Sequence, residues 1–416
     1  MQLTSDEAAI AAGARGAGAA MAMRIVAETA RLMGAARLIP IESAHIDGAL
    51  YHGDSGTLFA ERLVEGGATV AVRATLNVGA IDLTGCSRNR LPEHERAMAE
   101  RMMNAYRRLG CEPTWTCAPY QAGHRPRLGA QVAWGESNAV VFCNSVLGAR
   151  TNRYGDFLDI ACAIAGRAPD YGLHRNEHRR ATLVVDLSAI DREFLVSDVA
   201  WPVLGSLYGR LAGNAVGVIT ALPMRPSEDQ LKGFGAAAAS TGAVALFHVA
   251  GATPEAADEA AALHYQAPLE RVTVTMEMVR DAQRRLSTAE RADHIDAVAI
   301  GSPHLSLDEF NALRTLLRGR RVAVPLYACT GRHVLRLLES EGQRAELEST
   351  GVVIVADTCV VVTPILPERA GAILMTNSGK FAQYVPSNTG YAVLYGSLAE
   401  CVESAVAGRP LIGSVA

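Results

Sequence analysis

Three cysteines of this chain lie in polar, glycine- or threonine-rich segments, where a packed core rarely places a thiol. Cys117 follows a threonine, Cys329 precedes Thr-Gly-Arg, and Cys359 follows Asp-Thr. The last two lie near the carboxyl ends of two apolar runs typical of strands, Val322–Ala328 and Val352–Ala356. Because the carboxyl ends of neighbouring parallel strands open onto one crevice, the pattern predicts that thiolates meet there. Thiolates so placed could hold a metal ion or an iron–sulfur cluster.

The same thiols could equally be ordinary buried side chains, since cysteine is among the most buried residue types. The sequence contains no Cys-x-x-Cys pair that would make the cluster interpretation specific. We expect Cys162 and Cys401 to pack in helices, and Cys86, Cys111 and Cys143 to lie in the core or in loops. Eight irregularly spaced cysteines do not form a secreted disulfide framework, which favours a reducing compartment.

A second group of candidate residues lies between positions 135 and 155, a segment rich in small polar side chains. It contains Glu136, Ser137, Asn144, Ser145, Arg150, Thr151 and Asn152. The guanidinium of Arg150 could bind a carboxylate through two parallel hydrogen bonds, and Arg153 is a second candidate for that role. The alternative is that these side chains only satisfy turns and helix caps.

Two shorter patterns could also carry chemistry. Ser43 and His45 place a hydroxyl beside an imidazole, a weak signal for serine hydrolysis in which Asp198 would have to be the third member. Ser378 and Lys380 offer a hydroxyl and an ammonium that could bind a carboxylate, although a helix cap with an exposed lysine explains them equally well. Lys380 could also form a Schiff base with pyridoxal phosphate, which would be a different class of enzyme. A phosphate-binding glycine loop in a strand–helix context is absent from the sequence.

The composition limits the class of protein. The chain has 416 residues, 49% of them hydrophobic, with 38 glycines, and 39 basic against 43 acidic side chains give a net charge of −4. No dense basic block supports nucleic-acid binding. The N-terminus lacks the basic segment of a signal peptide, and the apolar stretch Gly351–Leu366 contains Asp357 and Pro364 and is too short to span a bilayer. We therefore expect a cytoplasmic protein without a membrane segment.

The coarse pattern is a strand–helix alternation that predicts an α/β fold with parallel sheets flanked by helices. We expect lobes near residues 1–180, 181–290 and 291–416. Thr4 and Glu7 form a capping box that predicts a helix to about Met33. Strands at 37–40 and 69–73 should deliver the segments that contain Ser43 and Thr75. Other strands are predicted at 182–187, 217–222, 243–249, 297–301 and 373–375, and helices at 93–109, 228–241, 307–317 and 398–407.

Nine short motifs then lie in order along the chain. They are LIPIESAHI from Leu38, ATLN from Ala74, TCAPY from Thr116, WGESN from Trp134, NSVLGARTN from Asn144, GRAP from Gly166, GSPH from Gly301, DTC from Asp357 and TNSGK from Thr376. Through them the chain resembles aconitase X, the divergent branch of the aconitase superfamily. The resemblance covers nearly the whole chain.

The resemblance implies an iron–sulfur dehydratase of multi-lobe architecture, built from a large catalytic part and a small swivelling part. It implies dehydration of cis-3-hydroxy-L-proline, with phosphomevalonate as the alternative substrate. A non-catalytic subunit that merely binds metal is a third interpretation. The chain ends at Ala416 without a segment resembling the swivelling part. We therefore expect that part to be a separate small subunit.

The resemblance also suggests roles for individual residues. Other members often have a cysteine where this chain has Ser302, and Cys329 could replace that thiolate. Cys117, Cys329 and Cys359 are then expected to hold a cluster of [2Fe–2S], [3Fe–4S] or [4Fe–4S] type. The resemblance implies Ser43 as the base or its proton relay, supported by His45, and Arg150 and Lys380 as partners of the substrate carboxylate and oxyanion. The residues implied to line the pocket are Thr75, Asn77, Glu136, Ser137, Asn152 and Ser378.

Overall fold

The computed structural model describes residues 1–87, 89–289 and 292–413. These residues divide into two compact units. The first contains residues 1–81, 91–180 and 253–255, and the second contains residues 82–90, 181–252 and 256–416. In the described part of the chain, no helix is both long enough and apolar enough to cross a bilayer.

The first unit begins with helices α1 (Ser5–Ala11) and α2 (Ala17–Leu32), where the sequence predicted one continuous helix. The predicted capping box is present, because Thr4 and Glu7 each accept a hydrogen bond from the other's backbone N–H. The break follows from Gly13 and Gly16, whose φ angles of 106° and 89° a right-handed helix does not tolerate.

The first unit then contains two small sheets. Its elements are β1 (Leu38–Pro40), β2 (Ser43–Ile46), α3 (Asp54–Glu65), β3 (Arg73–Leu76), α4 (Glu93–Arg108), β4 (Val132–Trp134), α5 (Ser137–Ser145), α6 (Leu158–Ala165) and β5 (Arg167–Pro169). Strands β3, β2 and β4 form a parallel sheet in that order, with α6 packed on β2, while β1 and β5 form an antiparallel pair.

The position of β2 corrects the strand assignment made from the sequence. The predicted strand at 37–40 is present as β1, but it pairs outside the parallel sheet. The segment expected to follow a strand is itself the central strand, and β3 likewise begins at Arg73, where the predicted strand at 69–73 was to end. Ser43 therefore opens β2, paired with Arg73 and Val132.

The second unit contains two parallel sheets. The four-stranded sheet has the order β8-β7-β6-β9 and the five-stranded sheet the order β12-β11-β10-β13-β14. The elements are β6 (Leu183–Asp186), α7 (Arg192–Val196), α8 (Ala200–Ala212), β7 (Gly217–Thr220), α9 (Glu228–Thr241), β8 (Phe247–Val249), α10 (Glu259–Ala262), β9 (Glu270–Thr273), α11 (Met276–Arg284), β10 (Ala297–Leu305), α12 (Leu307–Leu317), β11 (Leu326–Thr330), α13 (Arg332–Ser340), α14 (Gln343–Ser349), β12 (Val352–Ala356), β13 (Ile373–Thr376), α15 (Gly379–Thr389), β14 (Ala392–Tyr395) and α16 (Leu398–Ala407).

Helices α8, α9 and α15 pack together in the second unit. A Cβ atom on Gly205 of α8 would lie 2.2 Å from the carbonyl oxygen of Phe234 in α9, so these helices approach closely only because the residue is glycine. Phe310, Leu326 and Ile354 belong to the apolar core around the five-stranded sheet. The predicted parallel α/β architecture is confirmed.

One segment of the second unit comes from early in the chain. Asp82 contacts the five-stranded sheet and Arg90 the loop after β12, because Asp82 accepts a hydrogen bond from the N–H of Ala356 and Arg90 donates to the carbonyl of Pro364. The same Asp82 carboxylate accepts hydrogen bonds from Thr84 and Ser87. This carboxylate therefore organises its own loop as well as its contact with the strand.

Candidate functional site

The carboxyl edge of the first unit's parallel sheet brings polar residues together. Asp47 follows β2, Asn77 follows β3, and Glu136 follows β4 after one glycine. The side-chain amide of Asn77 donates a hydrogen bond to Oδ1 of Asp47. This is the edge at which open α/β sheets bind ligands.

The carboxyl group of Asp159, in α6, holds the backbone that follows β2 at this edge. Its Oδ2 accepts hydrogen bonds from the backbone N–H groups of Asp47 at 2.6 Å and Gly48 at 3.3 Å. Burial, assisted by the nearby charge of Asp47, raises the pKa of Asp159 to about 8. A Cβ atom on Gly135 would lie 2.8 Å from Cβ of Asp47 and 2.9 Å from Oδ2 of Asp159, so β4 can pass this close only at a glycine.

Sequence reasoning missed both of these carboxyl groups. Asp47 directly follows the segment Ser43–Ile46. Its position indicates a site at the end of a strand only once that segment is known to be a strand. Asp159 is the single charged residue in the apolar helical sequence LDIACAIA, and an isolated acid in such a helix is a signal that could have been used.

Glu136 and Ser137 begin α5 at the same edge. Oε2 of Glu136 accepts a 2.7 Å hydrogen bond from the N–H of Ala139, and Ser137 Oγ donates to Oε1 at 3.1 Å. Glu136 is therefore the N-cap of the helix, and its φ of 66° is a strained conformation for a residue with a side chain. Strain of this kind is concentrated at functional positions.

Cys117 lies beyond the end of β3. The N–H of the preceding Thr116 donates to the carbonyl of Leu76 at 3.2 Å, and the side chain of Asn138 donates to the carbonyl of Cys117 at 2.9 Å. The residue is 7% exposed. The structure therefore places this thiol near the carboxyl edge of the first unit's sheet.

Two other predicted residues of this unit, Ser43 and Arg150, lie away from that edge. Ser43 opens β2, and at about 3.3 Å per residue the four steps to Asp47 span about 13 Å. Arg150 pairs alongside Gln131, just before β4, and donates to the carbonyl of His174 at 3.3 Å. The structure therefore does not bring Ser43 and Arg150 to the carboxyl edge.

The side chains of Arg150 and Asn152 both make contacts that hold neighbouring loops in place. Arg150 also donates to Oδ1 of Asn176 at 3.1 Å and lies 3.7 Å from Glu255. Asn152 donates to the carbonyl of Tyr171 at 3.0 Å and accepts from the N–H of Leu173 at 2.9 Å. Substrate roles for Arg150 and Asn152 stay predictions, and these bonds give each side chain an independent reason for its position.

His45 and Thr75 face each other in the middle of the sheet. The hydroxyl of Thr75 lies 2.8 Å from Nδ1 of His45 and 2.7 Å from Nδ1 of His124. A hydroxyl has one proton to donate, so it can donate to only one of these two imidazoles. The other imidazole must carry its proton on Nδ1, and the two rings are therefore opposite tautomers.

Burial keeps these imidazoles uncharged, because it lowers the pKa of each to about 3. Burial also lowers the pKa of two further imidazoles to about 3. That of His174 lies 2.6 Å from the hydroxyl of Tyr154, and that of His304 lies 3.1 Å from the carbonyl oxygen of Thr358. We refer to the set as the four neutral imidazoles. They are His45, His124, His174 and His304.

In the second unit, Cys329 and Cys359 lie on neighbouring strands. Cys329 is inside β11, paired with Val355 of β12, and Cys359 follows β12 by three residues. They are 0% and 8% exposed. Cys329 therefore lies near the carboxyl end of its strand, as predicted, although β11 continues to Thr330, beyond the predicted run Val322–Ala328.

An ion pair fixes the loop that contains Cys359. Arg332, at the start of α13, donates to both carboxylate oxygens of Asp357 at 2.8 and 2.6 Å. The carboxylate is fully buried, which raises its pKa in spite of Arg332, and the residue has a φ of 62°. A bidentate ion pair with a buried carboxylate therefore joins the segments that follow β11 and β12.

Ser378 and Ser302 meet in the second unit. Ser378 Oγ donates to the carbonyl of Ser302 and accepts from the N–H of Phe381 at 3.1 Å, so it is the N-cap of α15. Lys380 is the second residue of this helix. The helix-cap alternative for Ser378 is confirmed, and its contact with Ser302 was not anticipated.

These two serines line a cavity of about 290 Å³ in the second unit. The same cavity is lined by the carboxylates of Asp198, Asp229 and Glu309 and by the ammonium of Lys232. Lys232 is 2% exposed, forms ion pairs with Asp229 and Glu309, and donates to the carbonyl of His304 at 3.3 Å. The cavity walls therefore carry more negative than positive charge.

The three predicted cluster ligands are divided between the units, Cys117 in the first and Cys329 and Cys359 in the second. Thiols suit soft metal ions, and burial of these side chains suits a cluster. However, within the described ranges no three His, Cys, Asp or Glu side chains form a group that could hold a metal ion. The donor chemistry fits an iron–sulfur cluster, and the assembled ligand set stays a prediction.

Comparison with known proteins identifies the family. Family models of the first, second and third domains of aconitase X match residues 1–177, 181–284 and 295–407. The chain belongs to the aconitase X family. The crystal structure of Thermococcus kodakaraensis aconitase X in its holo-form is similar, with a TM-score of 0.87, 35% sequence identity, and coverage of 97% of this chain and 100% of that one.

Named relatives within aconitase X are dehydratases of two kinds. Cis-3-hydroxy-L-proline dehydratase of Pseudomonas aeruginosa is 42% identical, over 99% of this chain and 71% of the relative, and that of Hypocrea jecorina is 39% identical, over 98% and 69%. The phosphomevalonate dehydratase large subunit of Methanothermobacter thermautotrophicus is 38% identical, over 90% and 91%. The family and the enzyme class expected from the sequence, a hydro-lyase, are confirmed.

Proposed function

We propose that this aconitase X chain is the catalytic part of a dehydratase that removes water from cis-3-hydroxy-L-proline. The observation that carries the proposal is the 42% identity to a cis-3-hydroxy-L-proline dehydratase over 99% of the chain. Loss of the Cα proton and of the C3 hydroxide gives a pyrroline-2-carboxylate and water. The proposed product then tautomerises to the cyclic imine.

The second candidate substrate, phosphomevalonate, is favoured by the 38% identity to a phosphomevalonate dehydratase large subunit. A phosphate ester requires a basic pocket. The cavity of the second unit has three carboxylates, and its Lys232 ammonium is already paired with two of them. Its charge therefore supports the amino acid more than the phosphate ester.

The residues proposed to act on the substrate divide by position. Asn77, Glu136 and Ser137 lie at the carboxyl edge of the first unit's sheet and are proposed to contact the substrate, since that edge is where such sheets bind ligands. Ser378 lines the cavity of the second unit and is proposed as a substrate contact from the family resemblance. Lys380 is proposed as a partner of the carboxylate or oxyanion. Ser43 with His45 as the base, Thr75 as a pocket residue, and Arg150 and Asn152 as substrate partners are proposals from the family resemblance alone.

Cys117, Cys329 and Cys359 are the proposed ligands of an iron–sulfur cluster. When bound, such a cluster supplies a Lewis acid that makes hydroxide a better leaving group. The chain's own contribution is to hold the thiols, since the Arg332–Asp357 ion pair fixes the loop of Cys359.

Iron and sulfide analysis after anaerobic reconstitution tests the proposed ligands. Each of Cys117→Ser, Cys329→Ser and Cys359→Ser should lose most of the cluster, because serine replaces a soft donor by a hard one. Cys86→Ser is the control, because that half-buried thiol is outside the proposed set. Full cluster content in Cys329→Ser would show that Cys329 is not a ligand. Ser302, at the position where other members often have a cysteine, would then be the next candidate.

We also propose a small partner subunit, because the archaeal relatives are named large subunits. A swivelling partner would close over the substrate and exclude water. Size-exclusion chromatography of the chain, co-expressed with the neighbouring small open reading frame, tests the association. Full dehydratase activity of the isolated chain would rule out a required partner.

Assaying both substrates with the reconstituted protein decides the function. We expect water loss from cis-3-hydroxy-L-proline, followed as the imine product, and little turnover of phosphomevalonate. Turnover of phosphomevalonate alone would overturn the proposal. A visible Schiff-base absorbance that disappears in Lys380→Ala would instead identify a pyridoxal phosphate enzyme.

A further inference from the structure

Asp47 and Asn77 form a hydrogen-bonded pair at the carboxyl edge of the first unit's sheet. We propose that the Asp47 carboxylate and the Asn77 amide oxygen bind the ring ammonium of a cyclic amino acid. This inference rests on the proposed function and adds a specificity determinant to it. The pair would distinguish an amino acid from a hydroxy acid of similar shape that has no amine.

The orientation of the Asn77 amide follows from its hydrogen bond. Its nitrogen donates to Oδ1 of Asp47, and since a carboxylate oxygen accepts rather than donates, the amide oxygen must point away from that atom. Asn77 is 2% exposed, and within the part of the chain that the structure describes its Oδ1 has no hydrogen-bond partner. Buried polar atoms are almost always paired, so this oxygen indicates a donor that is not part of the unit itself.

Asp47 is held in place beside that oxygen. Its backbone N–H and that of Gly48 donate to the buried Asp159, and Gly135 packs against its Cβ. The residue is half-buried, so its carboxylate lies at the rim of the edge and not within the core. A carboxylate with a fixed backbone loses little conformational freedom when it binds a ligand.

A secondary ammonium matches these two acceptors. It has one positive charge and two N–H groups, one for the amide oxygen of Asn77 and one for the carboxylate of Asp47. A hard metal ion would need six or more oxygen ligands. Among the described residues no three acidic, histidine or cysteine side chains form a metal-binding group. A phosphate ester would be repelled by the carboxylate.

Binding of two ligands that are not dehydrated tests the inference. L-Proline has the ring ammonium, whereas (S)-tetrahydrofuran-2-carboxylate has an oxygen at that position, and neither has a 3-hydroxyl to lose. Calorimetric titration of the cluster-loaded protein should show that L-proline binds about tenfold to hundredfold more tightly. In Asp47→Asn, which keeps the shape of the side chain and removes its charge, we expect this preference to fall below about threefold.

Two further variants complete the experiment. Asp156→Asn removes an exposed carboxylate of the same unit and should keep the full preference for L-proline, which controls for general electrostatics. Asn77→Ala removes the amide oxygen and should also reduce the preference, which keeps the test available if Asp47→Asn does not fold. Thermal unfolding of each variant establishes that it is folded.

The outcomes separate this inference from the proposed function. If the wild-type protein dehydrates cis-3-hydroxy-L-proline and Asp47→Asn keeps the tenfold preference, the ammonium site is wrong and the function stands. If the wild-type protein neither dehydrates that substrate nor prefers L-proline, both are wrong. A preference lost in Asp47→Asn and Asn77→Ala, and retained in Asp156→Asn, supports the site.

Discussion

Replacing Thr75 by valine should destabilise the first unit more than replacing it by serine. The threonine hydroxyl is the shared partner of Nδ1 of His45 at 2.8 Å and of Nδ1 of His124 at 2.7 Å. Valine has nearly the same shape but no hydroxyl, so it leaves two buried ring nitrogens without this partner. Serine keeps the hydroxyl and loses only a methyl group.

The magnitude follows from those two contacts. An unsatisfied buried polar group costs about 1–3 kcal/mol, so two of them cost roughly 2–6 kcal/mol. The methyl group gained by valine returns about 0.8 kcal/mol, which leaves a net loss of roughly 1–5 kcal/mol. Thr75→Ser should lose only about 1 kcal/mol. Domains are stable by about 5–15 kcal/mol, so the difference should be readily measured.

Denaturant unfolding near pH 7.5 measures this difference, provided that the slope with denaturant is the same in all three proteins. Nitrogen-15 NMR of the imidazoles adds a second readout. In the wild type, one of the two rings should carry its proton on Nδ1 and the other on Nε2, and Thr75→Val should abolish that complementarity. If the valine variant is no less stable than the serine variant, or if both rings are the same tautomer in the wild type, the reasoning is wrong.

Three more outcomes are expected. Burial holds the pKa of the four neutral imidazoles near 3, against about 6.5 when unfolded, so the unfolded chain binds more protons below pH 6.5. The free energy of unfolding should therefore fall between pH 6 and pH 4, by up to roughly 5 kcal/mol per pH unit. The raised pKa of Asp159 opposes this fall by about as much as one of the four imidazoles contributes to it. A denaturation midpoint that stays constant from pH 7 to pH 5 would contradict the expected fall. Arg332→Gln should cost about 3–5 kcal/mol by leaving Asp357 buried without its guanidinium, and should lower iron content; unchanged stability to denaturant would refute the first part. Ser378→Ala should lower the melting temperature through the lost helix cap, about 1 kcal/mol, and Ser378→Asp should restore it as a cap but not the bond to Ser302.

Much of the fold could be predicted from the sequence because its signals are local. The strand Val352–Ala356 and the helices Glu228–Thr241, Leu307–Leu317 and Leu398–Ala407 lie where apolar periodicity and caps predicted them. The N-terminal helix was predicted too long because Gly13 and Gly16 were not treated as breaks. The family motifs identified aconitase X, which periodicity alone could not have done.

The candidate site was less predictable, and the reason is the central strand of the first unit. Ser43–Ile46 contains a hydroxyl and an imidazole, so it was interpreted as a loop that follows a strand. In the structure, His45 is buried inside the sheet, where the hydroxyl of Thr75 satisfies it. Polar residues paired across neighbouring strands are indistinguishable in sequence from polar residues in a crevice. Because of this error, the expected site lay one strand length away from the carboxyl edge of the sheet, and Asp47 was not predicted to be part of it.

The placement of residues 82–90 affects how the chain can be synthesised and folded. This segment is completed early, yet Asp82 hydrogen-bonds to Ala356, which lies 274 residues further along the chain. At about 5–20 residues per second, a ribosome takes roughly 15–55 s to make the intervening chain. During that time this loop, with its half-buried Cys86, has no strand β12 to contact. The contact between this early segment and β12 therefore forms only after the chain has been translated past Ala356, so the second unit cannot be completed before then.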